Sequence, residues 1–226
     1  MSSRAAILTH FSVDPSAIAE HDDWHTHEHM PERLALPGFL RGTRWTGLGN
    51  PTDYCLFYEL DSLQALDSDP YRQRLNNPTP WTSKMVKVCT AMRRTLCSVE
   101  GSSAPCIGGF AATLAFAASL GRNADPTDWL LQDVLPGLVA RRGIASWHML
   151  RTTQVAAGPW SGDGVVQSAV VVTAYDADEL TQLCVSEFAP KLAARGVDGS
   201  RYTTGLYKLA VVFSRDRVGR DAARTE

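Results

Sequence analysis

Residues 24–38 read WHTHEHMPERLALPG, and residues 129–143 read WLLQDVLPGLVARRG. Both follow the frame Trp-x6-Pro-x6-Gly, with Trp24, Pro31 and Gly38 in the first and Trp129, Pro136 and Gly143 in the second. In a chain of 226 residues with six tryptophans, such a match reads as an internal repeat. That repeat decides how the rest of the chain is divided.

The flanks of the two frames agree. A strand-like run precedes each, AAILTHF (5–11) and FAATLAFAAS (110–119). A second strand follows each glycine, FLRGTRWTGLG (39–49) and IASWHMLRTT (144–153), and then a third, DYCLFYELD (53–61) and QSAVVVTAYD (167–176). Polar-capped helical stretches come next, at 62–77 and at 177–196 with Gly196 as the stop, and each half closes on a fourth strand, at 91–99 and 201–214. The strands rest on β-branched and aromatic enrichment between turn residues, and the helices on Asp and Ser caps. Each half is therefore β-α-β-β-α-β, the ferredoxin-like motif, and the fold class is α+β. One such unit leaves a sheet face bare, because both helices cover the other. Two tandem units are expected to bury those faces together as an internal pseudo-dimeric α+β barrel. The predicted boundaries are 1–101 for the first unit, 102–215 for the second, and a disordered polar tail at 216–226.

Composition excludes several classes of function. The chain is 44% hydrophobic and 20% charged with a net charge of −2, so no basic stripe suits nucleic acid. Its longest apolar run, at 110–120, is shorter than the roughly 20 residues that a membrane span needs. The residues before Ala5 do not read as a secretory leader, and none is expected. The five cysteines are scattered without CxxC spacing, as reduced thiols in a cytoplasmic protein would be. GPWSGDG (158–164) lacks the ending of a phosphate loop.

Four of the six histidines fall within residues 21–29. On a helix, His21, His25 and His29 share one face, while His27 lies about 160° away from His25. The acidic first turn around Asp22 and Asp23 predicts a solvated setting for His21 and His27. No HExxH occurs, since 27–31 reads HEHMP, and no third ligand stands at a telling spacing, so no metal site is expected.

The segments WHTHEHMPERLALPGFLRGTRW, YCLFYELDS and DPYRQRLNNPTPWTSKM resemble the dimeric α+β-barrel superfamily, close to its EthD-like and muconolactone-isomerase-like branches. The resemblance is most specific over residues 21–86 and implies small-molecule catabolism or polyketide tailoring. Its members include decarboxylases, dehydratases, cyclases, isomerases and cofactor-free oxygenases, and other branches bind haem. It places the family's helix histidine at His29, preceded by Glu28, in a cavity between sheet and helices. In the second half Val134 stands at the place of His29, Asp133 at that of Glu28 and Leu130 at that of His25, so that half is expected to be scaffold.

Trp45, Tyr54, Phe57, Tyr58, Tyr71 and Trp81 are the candidate aromatic walls of that cavity. Alternation sets Tyr54, Leu56 and Tyr58 on one face of the third strand and Cys55, Phe57 and Glu59 on the other, without saying which faces the helices. Arg41 and Arg44 lie on opposite faces of the second strand, so at most one enters a pocket; Arg44 is the candidate partner for a carboxylate or enolate. The reading is a cofactor-independent lyase or isomerase acting on a small enolisable or aromatic molecule. His29 is its acid–base residue, His25 orients it, and Tyr58 donates to the developing enolate. Its pH limb is expected near the ordinary histidine pKa of about 6.5, displaced by burial or by His25. The alternatives are a cofactor-free or haem-using oxygenase and a non-catalytic small-molecule-binding protein. The expected assembly is a monomer with an internal pseudo-dimer, or a homodimer of it.

Overall fold

The computed structural model describes residues 4–103, 105–116, 126–155, 168–195, 197 and 202–215. Gly196, the loop at 158–164 and the tail at 216–226 lie outside the described residues. The described residues form two compact units. The first holds those up to Ser98, Gln154 and Val155, and those from Ala210; the second holds Val99 to Thr153 and Ser168 to Leu209.

In the first unit, β1 (Ala5–Val13) leads into α1 (Ile18–Trp24), a π-helical turn (His25–His29) and α2 (Met30–Leu34). β2 (Phe39–Gly47) and β3 (Asp53–Leu60) follow, then α3 (Asp69–Asn76), α4 (Pro80–Met85) and β4 (Cys89–Ser102). In the second unit, β5 (Phe110–Phe116) leads into α5 (Pro126–Trp129), a π turn (Leu130–Val134) and α6 (Leu135–Leu138). β6 (Ile144–Val155) and β7 (Ser168–Ala174) are followed by α7 (Ala177–Gln182), a further π turn (Leu183–Phe188), α8 (Ala189–Ala194) and β8 (Tyr202–Ser214). Pairing gives the order β4-β1-β3-β2 in one unit and β8-β5-β7-β6 in the other, antiparallel in each. The α+β fold class read from the sequence is the observed one.

The helical stretch expected at 62–77 is broken. Leu63–Asp67 is a 3-10 turn, Ser68 is extended, and α3 starts afresh at Asp69, because Pro70 fits only a first helical turn. Residues 25–29 depart from α geometry in a related way. The Met30 N–H bonds to the His25 carbonyl, as Leu135 does to Leu130 and Ala189 to Cys184. A proline follows one residue later each time, at 31, 136 and 190. Proline has no N–H to give, and its ring crowds the carbonyl four residues back, so the turn before it widens to i→i+5.

The core of the first unit lies between the helices and one sheet face, where Ile7, Phe11, Leu56 and Tyr58 meet Met30 and Leu34. The register pairs Ile7 with Tyr58 and with Leu96, so these three share that face. Gly38 and Gly143, the last residues of the two frames, take φ of 87° and 85°. Their carbonyls accept from the backbones of Asp61 and Tyr175 at 2.9 and 2.8 Å. A Cβ at Gly38 would also meet the Ala65 Cβ. Gly38→Ala should therefore lower stability by about 1–3 kcal/mol, which denaturant unfolding would measure; an unchanged midpoint would contradict this.

Candidate active site

His21, His25 and His29 form a stack. Ring centroids are 5.2 Å apart from His21 to His25 and 5.0 Å from His25 to His29, with planes 17° and 19° apart. Trp24 lies over the last two, at 5.2 and 4.7 Å. Parallel rings hold their in-plane lone pairs in parallel planes instead of aiming them at one point. Among the described residues, no three His, Cys, Asp or Glu side chains are grouped to hold a metal ion.

The solvated first turn expected around His21 is not what forms. His21 and His25 are 0% and 1% exposed, and only His27 is exposed, its ring nitrogen contacting the Asp23 carbonyl at 2.9 Å. His21 is buried because Phe11 and Tyr54 pack around it at 5.5 and 4.9 Å. Asp22 gathers the polar groups behind it: the Tyr54 hydroxyl donates at 3.0 Å, His21 Nδ1 lies 3.4 Å away and Arg44 Nη1 3.5 Å away. Burial pushes the Asp22 carboxyl up, but the bonds from His21 and Tyr54 and the charge of Arg44 hold it below the usual range. Arg44 also donates to the Asp22 carbonyl at 3.0 Å. Arg44 and Tyr54 thus brace the histidine helix.

A cavity of about 290 Å3 opens in the first unit between this helix, the sheet and α4. Of the residues singled out from sequence, His25, His29, Tyr58 and Tyr71 line it. Trp45, Arg44, Tyr54, Phe57 and Trp81 do not. Trp45 pairs with Cys55 and Thr43 with Phe57, so Trp45 and Phe57 are buried on the opposite sheet face. Tyr54, Leu56 and Tyr58 take the helix face. Trp81 is half-buried on α4, while Thr82 and Ser83 beside it reach the cavity. Glu28 turns away, as its place on the helix requires. One of its oxygens accepts from Trp24 at 3.1 Å, Thr79 at 2.6 Å and Thr82 at 2.9 Å, tying the helix to α4.

Sequence reasoning missed Arg33, Arg94 and Trp24 as lining residues. Arg33 stands four residues beyond His29 and continues the row at 25 and 29, a spacing that was there to be read. Arg94 pairs with Thr9 across β1 and β4, which only the register shows.

Three buried polar atoms around this cavity have no hydrogen-bond partner: His25 Nδ1, the Tyr58 hydroxyl and Arg33 Nη1. A buried donor left unpaired costs about 1–3 kcal/mol, so their convergence on one cavity marks a place for a polar ligand. Burial, with Arg33 and His21 nearby, holds His29 well below the ordinary imidazole pKa. Burial, with His29 and His21, does the same to His25. Both rings are therefore neutral at pH 7, and the expected limb near 6.5 moves to lower pH. Burial raises the Tyr58 hydroxyl and keeps it a donor. Gly42 makes room for that ring, since a Cβ there would meet Tyr58 Cε1. Tyr58→Phe removes an unpaired hydroxyl, so the melting temperature should hold or rise. A clear fall in the melting temperature would mean that the hydroxyl has a partner in the folded protein.

The cavity is at the small end of ligand sites. No helix among the described residues is long and apolar enough to cross a membrane.

No known protein family's profile matches this chain, and no curated protein matches it. Solved structures do resemble it. An anthrone oxidase-like protein is 14% identical with a TM-score of 0.67, covering 96% of this chain and 95% of its own. A candidate monooxygenase from Fusobacterium nucleatum is 7% identical with a TM-score of 0.64, covering 94% and 95%. A monooxygenase-like protein from Listeria innocua is 7% identical with a TM-score of 0.51, covering 94% and 96%. Over nearly its whole length, the chain shares its α+β fold with these structures.

Proposed function

We propose that the cavity of the first unit is the active site of an enzyme that takes a proton from a small enolisable or phenolic molecule, without a bound cofactor, using His29 as base. The observation that supports this best is the stacked His25–His29 pair lining the same cavity as the unpaired Tyr58 hydroxyl. A neutral imidazole accepts the proton, and a hydroxyl that stays protonated steadies the oxygen of the enolate. His25 positions His29 by stacking. In the second unit the matching turn carries Leu130 and Val134, without an imidazole. That unit is read as scaffold, the chain as a tandem repeat of the EthD-like type split near residue 101, and the assembly as a monomer or homodimer.

Two fates share this first step. The proton can return elsewhere or a group can leave, giving the isomerase or lyase read from the sequence. Alternatively, the enolate carbon can react with O2. A methylene then becomes a ketone and the second oxygen leaves as water, a balance that needs no other reductant. The apolar walls, among them Phe11, Phe39, Leu56 and Met92, suit O2, and the names of the similar structures, anthrone oxidase-like and monooxygenase-like, favour oxygenation. An oxygen electrode with anthrone as substrate separates the two. One O2 consumed per product supports oxygenation, whereas turnover unchanged under argon supports the lyase or isomerase.

A further inference from the structure

Three cations line the cavity, Arg33, Arg74 and Arg94, and no Asp or Glu does. Arg74 has a partner, Glu32, at 3.1 Å. Arg33 and Arg94 have no carboxylate partner among the described residues. Both meet on one side chain instead. Arg94 Nη2 donates to the Tyr71 hydroxyl at 2.8 Å, and the Arg33 guanidinium carbon lies 5.4 Å from the centre of the Tyr71 ring. The Tyr71 oxygen accepts that bond and keeps its own proton to give. Arg33 Nη1 is buried without any acceptor.

Two guanidiniums side by side with no counter-charge is an arrangement that proteins complete with an anion. A guanidinium offers paired donors that match a carboxylate's two oxygens, and the Tyr71 proton supplies a third. Much of the rest of the wall is apolar, from Phe11 and Phe39 to Leu75 and Met92.

We infer that the ligand of this cavity is a small aromatic or enolisable carboxylate, its anionic group held by Arg33, Arg94 and the Tyr71 hydroxyl and its body against the apolar wall. The inference rests on reading the cavity as the substrate site.

Calorimetric titration of the full chain at pH 7.5 tests this without any turnover. The probes are 1-hydroxy-2-naphthoate, its neutral amide of nearly the same shape, and 1-naphthyl phosphate. The carboxylate should bind at least tenfold more tightly than the amide, and more tightly than the phosphate. Arg94→Met and Arg33→Met should each reduce the carboxylate–amide difference to less than threefold, while Arg94→Lys keeps part of it. Equal binding of carboxylate and amide to the native protein overturns the inference, and this arm needs no variant to fold. Tighter binding of the phosphate overturns the carboxylate assignment. A retained tenfold preference in folded Arg33→Met and Arg94→Met also overturns it. Anion preference without turnover of any substrate leaves the inference standing and removes the proposed reaction; turnover confined to neutral substrates does the reverse.

Discussion

His29→Ala lowers kcat by about 10²–10⁴-fold, the usual contribution of a general acid–base residue. KM changes little, because a base acts mainly in the transition state while the apolar wall and the arginines hold the ground state. The expectation follows from placement: His29 lines the cavity and stacks on His25 at 5.0 Å. The pH dependence of kcat/KM has a direction. With its pKa held well below 6.5, His29 is already neutral at pH 7, so activity stays level from pH 6.5 to 8 and falls only on further acidification. His27→Ala, at an exposed position, leaves kcat unchanged. His21→Ala is not silent, because a 0%-exposed ring packed on Phe11 leaves a hole in the core. It should lower stability by roughly 2–4 kcal/mol. A folded His29→Ala enzyme keeping more than a third of native kcat would falsify the assignment.

Acid lability is the second large effect. In the unfolded chain, His25 and His29 titrate near about 6.5; in the folded chain burial holds both lower. Between 6.5 and those lower values the unfolded state binds more protons, so folding loses stability as pH falls and holds it fully above 6.5. Each histidine contributes about 1.4 kcal/mol per pH unit in that window, so the pair contributes about 2.7 kcal/mol per unit. For a domain of ordinary stability, of roughly 5–15 kcal/mol, acidification through that window therefore weakens the fold measurably. Urea midpoints measured from pH 7.5 to 4.5 check this. The native slope should be steep, and His25→Gln should roughly halve it. A stability curve flat down to pH 5 would mean that these rings are solvated.

The sequence carried the element order because strand and helix periods are local. β-branched runs between turn residues mark strands wherever they fold, and Trp24-Pro31-Gly38 repeats at Trp129-Pro136-Gly143 because the same proline and the same positive-φ glycine are needed twice. It also carried His25, His29, Tyr58 and Tyr71, whose place follows from a helix row, one strand's alternation and the following helix. The burial of His21 was not legible. Asp22 and Asp23 mark a helix start, but Tyr54 and Arg44, from strands 20 and more residues away, turn Asp22 into the centre of a buried network. Trp45 and Phe57 failed for a related reason. Alternation divides a strand into two faces, and only the packed helices choose between them. Arg94 depended on the Thr9 register between β1 and β4, a long-range pairing that no local pattern encodes.

Hydrogen–deuterium exchange at an acidic substrate carbon tests the central claim most directly, because it reads proton removal whatever happens to the enolate afterwards. The experiment is anthrone and its carboxylate derivative in D2O under argon, followed by NMR, with native protein, folded His29→Ala and buffer alone. Native protein should speed exchange of the methylene hydrogens well above buffer, and His29→Ala should bring it back to the buffer rate. Exchange by His29→Ala within threefold of native would contradict the account and move the base elsewhere in the cavity.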